Sequence, residues 1–590
     1  MTVVVVTCVQ DGVDHNSWFA GGLVVKYRKI LSSTVFLRSI IMRHVAITVC
    51  LFLVLTACGG SGGGSSGGFS GPATTLSGTA SFEKVSPLAA GGLDYAGAEN
   101  LPIRGARVEA RSTTGTVYSS ASTDALGAFS LDVPQDSTVR LVVLARVTVA
   151  GGEITVGQNA TDPMATSGQI LGIYRDIAVG TNPTIGNIHA ASGWTGSGYT
   201  EGGRHSAPFA ILDVLYRARE LIRTTAPGDD APPVDVFWGP DYTGATIGTS
   251  HYQPSTNVVR ILGQENVDTD EFDHAVIAHE WGHVYQGQVS RDDSLGGPHA
   301  VGDYLDETVA FSEAFANAVS GMVMAAPFYR DTMGSLQATT AVALDLRTDQ
   351  MCGNPGPWSE FSLAGLLYDI YDSDTVTNNG LGLGFVPIHR VMRDDIRVTP
   401  SFATIYPFLY HIKEQVSTLQ ASAIANRAAA DGIAVGHDIF DGEDYPYASG
   451  YRYQRDVPTN GTLVTVDVDG DPLQSWDGYG QLNANAYNPG NKLYNRIYLL
   501  ADLPSAGDWM IRVTPVDDTG VPNDGDVILW VANGPRIDET WQGAETVTLN
   551  TTAAGTVAFA AAAFTAGQRF VVEVGTSDQL TKPVVPDGDG

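Results

Sequence analysis

Two histidines four residues apart enclose a glutamate in His279-Glu280-Trp281-Gly282-His283, and this pentad constrains the 590-residue chain more than any other feature. Its flanks are apolar: Ala275-Val276-Ile277-Ala278 precede it and Val284-Tyr285 follow. That pattern predicts a helix over about 270–289, opened by Asp268 and Asp270 at the end where the helix dipole favours acids. Positions i and i+4 lie about 40° apart on the helical wheel and one turn apart along the axis. Both imidazoles can therefore grip one Zn2+ from one face, with Glu280 beside them to deprotonate a metal-activated water. The competing reading is a core helix whose paired histidines are only hydrogen-bonded.

A catalytic zinc takes three protein ligands and keeps one position open. The metzincin pattern would place a Gly and a third His three and six residues past His283, where Gln286 and Val289 stand. The gluzincin pattern takes a Glu from the next helix, here predicted over about 303–324. Ser312-Glu313-Ala314-Phe315-Ala316-Asn317 resembles the N-E-x-x-S-D segment of thermolysin-like peptidases. The resemblance implies Glu313 as third metal ligand and Asn317, where the family has Asp, as the acceptor that orients a ligating His. A neutral Asn raises ligand basicity less than a carboxylate does. Glu307 competes for the ligand role; it lies about 120° from Glu313 on the wheel, so both cannot face one metal. The stretch between His283 and Glu313 is longer than is usual in thermolysin-like enzymes, and a loop over about 290–302 must be accommodated.

Residues 270–320 thus resemble a gluzincin-type bacterial zinc metallopeptidase. The resemblance implies a zinc metalloendopeptidase-like hydrolase acting on a peptide or protein substrate, in a domain over 185–435. In such enzymes an edge strand binds the substrate backbone, and Asn257–Leu262 resembles it. A His or Tyr donor to the transition state is expected from Tyr368, His389, Tyr406 or His411. His274, about 140° off the metal face, is expected at the surface.

Upstream, Met42-Arg43-His44 precedes an apolar run from Val45 to Leu55 that is too short to span a bilayer as a helix. Leu55-Thr56-Ala57-Cys58 resembles a bacterial lipobox. That implies a signal peptide over 42–57, lipidation of Cys58, and a membrane anchor in the bacterial cell envelope. Gly59 replaces the Asp that retains lipoproteins in the inner membrane, which points to the outer membrane. Residues 1–41, ahead of Met42, are expected to be a gene-model extension. Residues 58–76 are Gly/Ser-rich and expected as a flexible tether.

The remaining text is β-like. Over 77–150, Arg104 to Arg111 and Thr123-Asp124-Ala125-Leu126-Gly127-Ala128-Phe129 resemble a transthyretin-like or carboxypeptidase-regulatory β-sandwich. Over 455–580, short strands between Gly, Asn and Asp turns predict a sandwich or jelly roll. It resembles the β-domains that follow secreted bacterial peptidases. The expected fold class is multidomain α+β: an N-terminal β-sandwich, a mainly helical zincin-like centre with a small sheet, and a C-terminal β-sandwich or jelly roll.

With 43% hydrophobic residues the chain can fill sizeable cores, and its formal charge of −31 argues against a nucleic-acid footprint. Of four cysteines, Cys8 and Cys50 precede Cys58, and Cys352 is left without an intrachain partner. Asp467 to Asp471 reads as a solvated turn rather than a calcium loop. Two other functions stay open: a catalytically inactive lipoprotein for binding or adhesion on a zincin scaffold, and a zinc hydrolase of a non-peptide bond.

Overall fold

Short strands dominate both ends of the described stretch, and long helices its middle. The computed structural model describes residues 69–297, 299, 302–348, 355–373, 381–433, 435, 438–440, 457–467, 496–523, 525, 527–537, 543–563 and 568–580. The expectations for 1–68, including Cys58, and those for Cys352 and Asp469–Asp471 fall outside these residues. All described residues belong to one compact unit.

The N-terminal strands form two sheets. One is built on Ala73–Lys84, which pairs antiparallel with Glu99–Pro102 and Ala128–Pro134 and parallel with Thr184–Ile185 and Ile188–Ala190. The other runs Gly172–Val179, Ser137–Leu144, Arg107–Arg111, Val117–Ser122. Strict alternation directs the faces: in Ala128–Pro134, Phe129, Leu131 and Val133 are buried and the residues between them are not.

A third sheet joins residues on both sides of position 150. It comprises β1 (Arg146–Val149), β2 (Gly152–Gln158), β3 (Gln169–Ile170), β4 (Val234–Trp238), β5 (His251–Gln253) and β6 (Val258–Ile261). The order is β5-β6-β4-β2-β1, with β3 also on β2, and β4 runs parallel to both β2 and β6. Hence β6, expected at the edge, is an inner strand, and β5 takes the edge. Its four residues are all buried, as befits a strand flanked on both sides.

Helix α1 (Ala207–Thr225) packs its apolar stripe, including Phe209, Leu212, Leu215 and Ile222, into the core beneath. The motif helix α2 (His274–Val289) starts later than predicted. Asp270–Phe272 form a 3-10 turn, and the chain bends at Asp273 before α2 begins. Helix α3 (Glu307–Met324) is buried along almost its whole length. Asp306 caps it by accepting from the Thr308 amide at 3.1 Å. An antiparallel hairpin of β7 (Phe328–Met333) and β8 (Thr339–Asp345) follows, then α4 (Glu360–Tyr371).

At the C-terminal end, two four-stranded antiparallel sheets face each other across Leu499, Trp509, Ile511, Phe559 and Phe570. One strand of this layer, Arg496–Leu503, is fastened to the helical centre. Arg496 lies 3.3 Å from Asp306, and the Tyr498 hydroxyl donates to the same carboxylate at 3.0 Å. The cap of α3 and the C-terminal layer therefore share one buried acid.

Candidate metal centre

Helices α2 and α3 lie side by side, and their facing polar residues form the centre. The His279 and His283 Nε2 atoms are 3.1 Å apart. Glu313 Oε2 stands 3.3 Å from the first and 3.4 Å from the second. These three atoms can hold one metal ion. Their separations of 3.1, 3.3 and 3.4 Å lie close to the edges, roughly 3.3–3.4 Å, of a tetrahedron around an ion at ~2.0–2.1 Å, the bond length of zinc to imidazole and carboxylate. The fourth corner opens into a cleft of about 1220 Å3. The residues present thus fit a catalytic-type site of three ligands with one position open.

Each imidazole is held from behind. His279 Nδ1 donates to Asn317 Oδ1 at 2.9 Å, which leaves the Nε2 lone pair facing the centre. His283 Nδ1 lies 3.3 Å from Ser312 Oγ, and that hydroxyl donates to Asp292 Oδ2 at 3.1 Å. With its proton committed to Asp292, Ser312 Oγ accepts from His283. The second histidine is therefore oriented by a hydroxyl-to-carboxylate relay that no sequence spacing marks.

Electrostatics follow from this crowding in the metal-free protein. Burial opposes ionisation of Glu313, yet His283 and His299 beside it hold its carboxyl well below the usual range. Burial likewise disfavours a charged His283, but Glu313 outweighs it and raises the pKa to about 9. Glu280 lines the cleft, only 7% exposed, and burial lifts its pKa against the pull of the two histidines. A carboxylate made more basic in this way is suited to accept a proton.

Glu307 does not reach the centre. It is buried against Tyr406, whose hydroxyl donates to it at 3.3 Å, and burial raises its pKa strongly. The four expected donors also lie elsewhere. His389 bonds the Tyr285 hydroxyl and Asp229, His411 faces Asp395, and Tyr368 is packed in the core. In their place, Tyr329 on β7 and His299 in the 290–302 loop line the cleft. The Tyr329 ring centroid is 5.9 Å from that of His279, and His299 Nε2 is 3.1 Å from Glu360 and 3.7 Å from Glu313. No spacing rule marks either residue, because a hairpin and a loop deliver them. Trp530 and Arg536 of the C-terminal layer complete one wall.

His274 is buried, not at the surface. Lying off the metal face does not expose it, since that side of α2 packs against α1. Burial, with Lys84 and Arg217 nearby, lowers its pKa to about 3 and keeps it neutral.

Residues 224–385 match the family described as the Mycolysin C-terminal domain. The matched stretch carries α2, α3, the β7–β8 hairpin and α4, and it relates the chain to bacterial metallopeptidases. No match was found among curated proteins. Among solved structures, one similar chain is a Paenibacillus sp. cycloisomaltooligosaccharide glucanotransferase complexed with cycloisomaltoheptaose. It is 10% identical, with a TM-score of 0.12 over 84% of this chain and 72% of that one, and supports no shared fold.

Proposed function

We propose that this chain is a zinc-dependent metallopeptidase of gluzincin type that hydrolyses peptide bonds, tethered to the bacterial cell envelope through a lipid on Cys58. The observation that carries the catalytic reading is the convergence of His279 Nε2, His283 Nε2 and Glu313 Oε2 at tetrahedral spacing beside an open cleft. The tether rests on Leu55-Thr56-Ala57-Cys58 and the Gly/Ser-rich stretch after it.

His279, His283 and Glu313 would hold the zinc, which would supply Lewis acidity toward a scissile carbonyl and lower the pKa of a water toward ~7. Glu280 takes the water's proton on its carboxylate and returns it to the leaving amine nitrogen. Asn317 and the Ser312–Asp292 pair keep both ring tautomers aimed inward. The Tyr329 hydroxyl lines the cleft as a donor for an oxyanion, whereas His299 Nε2 is engaged by Glu360. β5, the edge strand among the described residues, has Tyr252 and His251 in the cleft wall, where an extended peptide can lie alongside it.

Metal analysis of the full chain combined with digestion of an unbiased peptide library tests this reading. About one zinc per chain, with cleavage that stops on chelation and returns with zinc, is the expected result. Glu280→Gln keeps the zinc and loses cleavage by at least ~100-fold. Full activity in that variant would end the mechanism, and a folded, zinc-free, inactive wild type would favour a binding protein instead.

A further inference from the structure

A second group of acids lies just ahead of α2, apart from the three ligands of the first site. Asp268, Asp270, Asp273 and Asp331 each bring a carboxylate oxygen within 4.8 Å of the others. Asp270 and Asp273 are 3% and 0% exposed. Ser250 Oγ donates to Asp270, and the amide and hydroxyl of Thr332 donate to Asp273 at 2.8 and 2.9 Å. Those donors do not suffice. One buried oxygen each of Asp268, Asp270 and Asp331 has no hydrogen-bond partner among the described residues. No described Lys, Arg or His pairs with any of the four, and the charges around them are mainly one another and Glu271.

Buried carboxylates without partners cost several kcal/mol each unless a proton or a cation neutralises them. Asp268 and Asp270 are close enough to share one proton, but one buried oxygen each of Asp268, Asp270 and Asp331 still lacks a protein donor. A cation accounts for them. The donor set is all oxygen, with no His or Cys, which selects a hard ion over zinc. Four carboxylates from two separate segments, at an irregular site, suit Ca2+, which takes 6–8 oxygens in flexible geometry, better than octahedral Mg2+. Asp268, Asp270 and Asp331 also line the wide cleft, so a hydrated ion can enter and waters can complete its shell.

We propose that Asp268, Asp270, Asp273 and Asp331 form a calcium site that ties the start of α2 to β7. The consequence is positional. Asp273 immediately precedes the helix that carries His279, and Asp331 is two residues from Tyr329 on the same strand. The ion would hold the imidazole helix and the cleft-lining tyrosine in one frame.

The test uses the full chain loaded with zinc, with calcium as the probe. Calorimetric titration should show one tight Ca2+ per chain. Calcium at about 100 times its Kd should raise Tm by roughly 2–5 °C. D270N and D331N should each lose that binding event and that shift while keeping their zinc. D331N is the safeguard, since Asp331 is less buried than Asp270 and the strand should survive the change. A wild type that binds no calcium and shows no shift overturns the proposal. So does calcium binding that persists undiminished in both variants, which would move the ion elsewhere on this acidic chain.

Discussion

Gly282 on α2 sits so close to Ala316 on α3 that a Cβ on the glycine would stand 2.7 Å from the alanine Cα. The glycine inside the histidine pentad is therefore the point where the two ligand-bearing helices touch. Ala316 lies one turn beyond Glu313, so this contact sets how far the carboxylate must reach. Replacing Gly282 by Val pushes the helices apart against backbone, which cannot swing away as a long side chain would. The expected result is a loss of about 1–3 kcal/mol in stability and a zinc affinity reduced by at least ~10-fold. Urea unfolding together with a competitive zinc titration measures both; unchanged zinc affinity would show that the helix spacing does not matter.

Asn317 donates nothing to the metal but fixes the ring that does. Asn317→Ala should weaken zinc binding by about 10–100-fold, with little change in fold by circular dichroism. Asn317→Asp should bind zinc at least as tightly as wild type, because a carboxylate accepts the His279 Nδ1 proton more strongly. Equal affinity in Asn317→Ala would mean that His279 is held by its rotamer alone.

Stability should depend on pH in a calcium-sensitive way. Burial, then like charges, raise Asp268 to about 6 and Asp331 to about 7, against 3.8 for the unfolded group. Asp270 and Asp273 are likewise raised well above that value by burial and by their acidic neighbours. A folded pKa above the unfolded one means that the folded state binds more protons. This contribution is full below the unfolded pKa and is lost as pH rises through the folded values. Zinc-loaded, calcium-free protein should therefore lose Tm between about pH 5 and about pH 8. Calcium replaces the protons and should flatten that slope. Identical Tm profiles with and without calcium would contradict the assignment.

What could be read along the chain, and what could not, divides by the range of the forces involved. His279, Glu280 and His283 stand together because helical geometry is local, and the pentad alone implies one face. Glu313 and Asn317 needed only a second helix with the same period. Ser312 is adjacent to Glu313, yet its tie to Asp292 depends on how the 290–302 loop folds back, which no periodicity encodes. His299 and Tyr329 arrive by a loop and a hairpin, whereas helical spacing points further along, to Tyr368, His389, Tyr406 and His411, which pack elsewhere. Wheel angle alone puts His274 at the surface, but α2 is covered on more than one side. The sheet across residue 150 escapes a local reading because β2 and β4 are parallel partners far apart in sequence, and such pairing leaves no local turn signal.

The most direct test of the central claim is zinc stoichiometry in two glutamate variants. Glu313→Ala should lose zinc under conditions where wild type holds about one ion per chain. Glu307→Gln, a neutral mimic of the acid bonded to Tyr406, should keep it. Full zinc in Glu313→Ala, or its loss only in Glu307→Gln, would contradict a site formed by His279, His283 and Glu313.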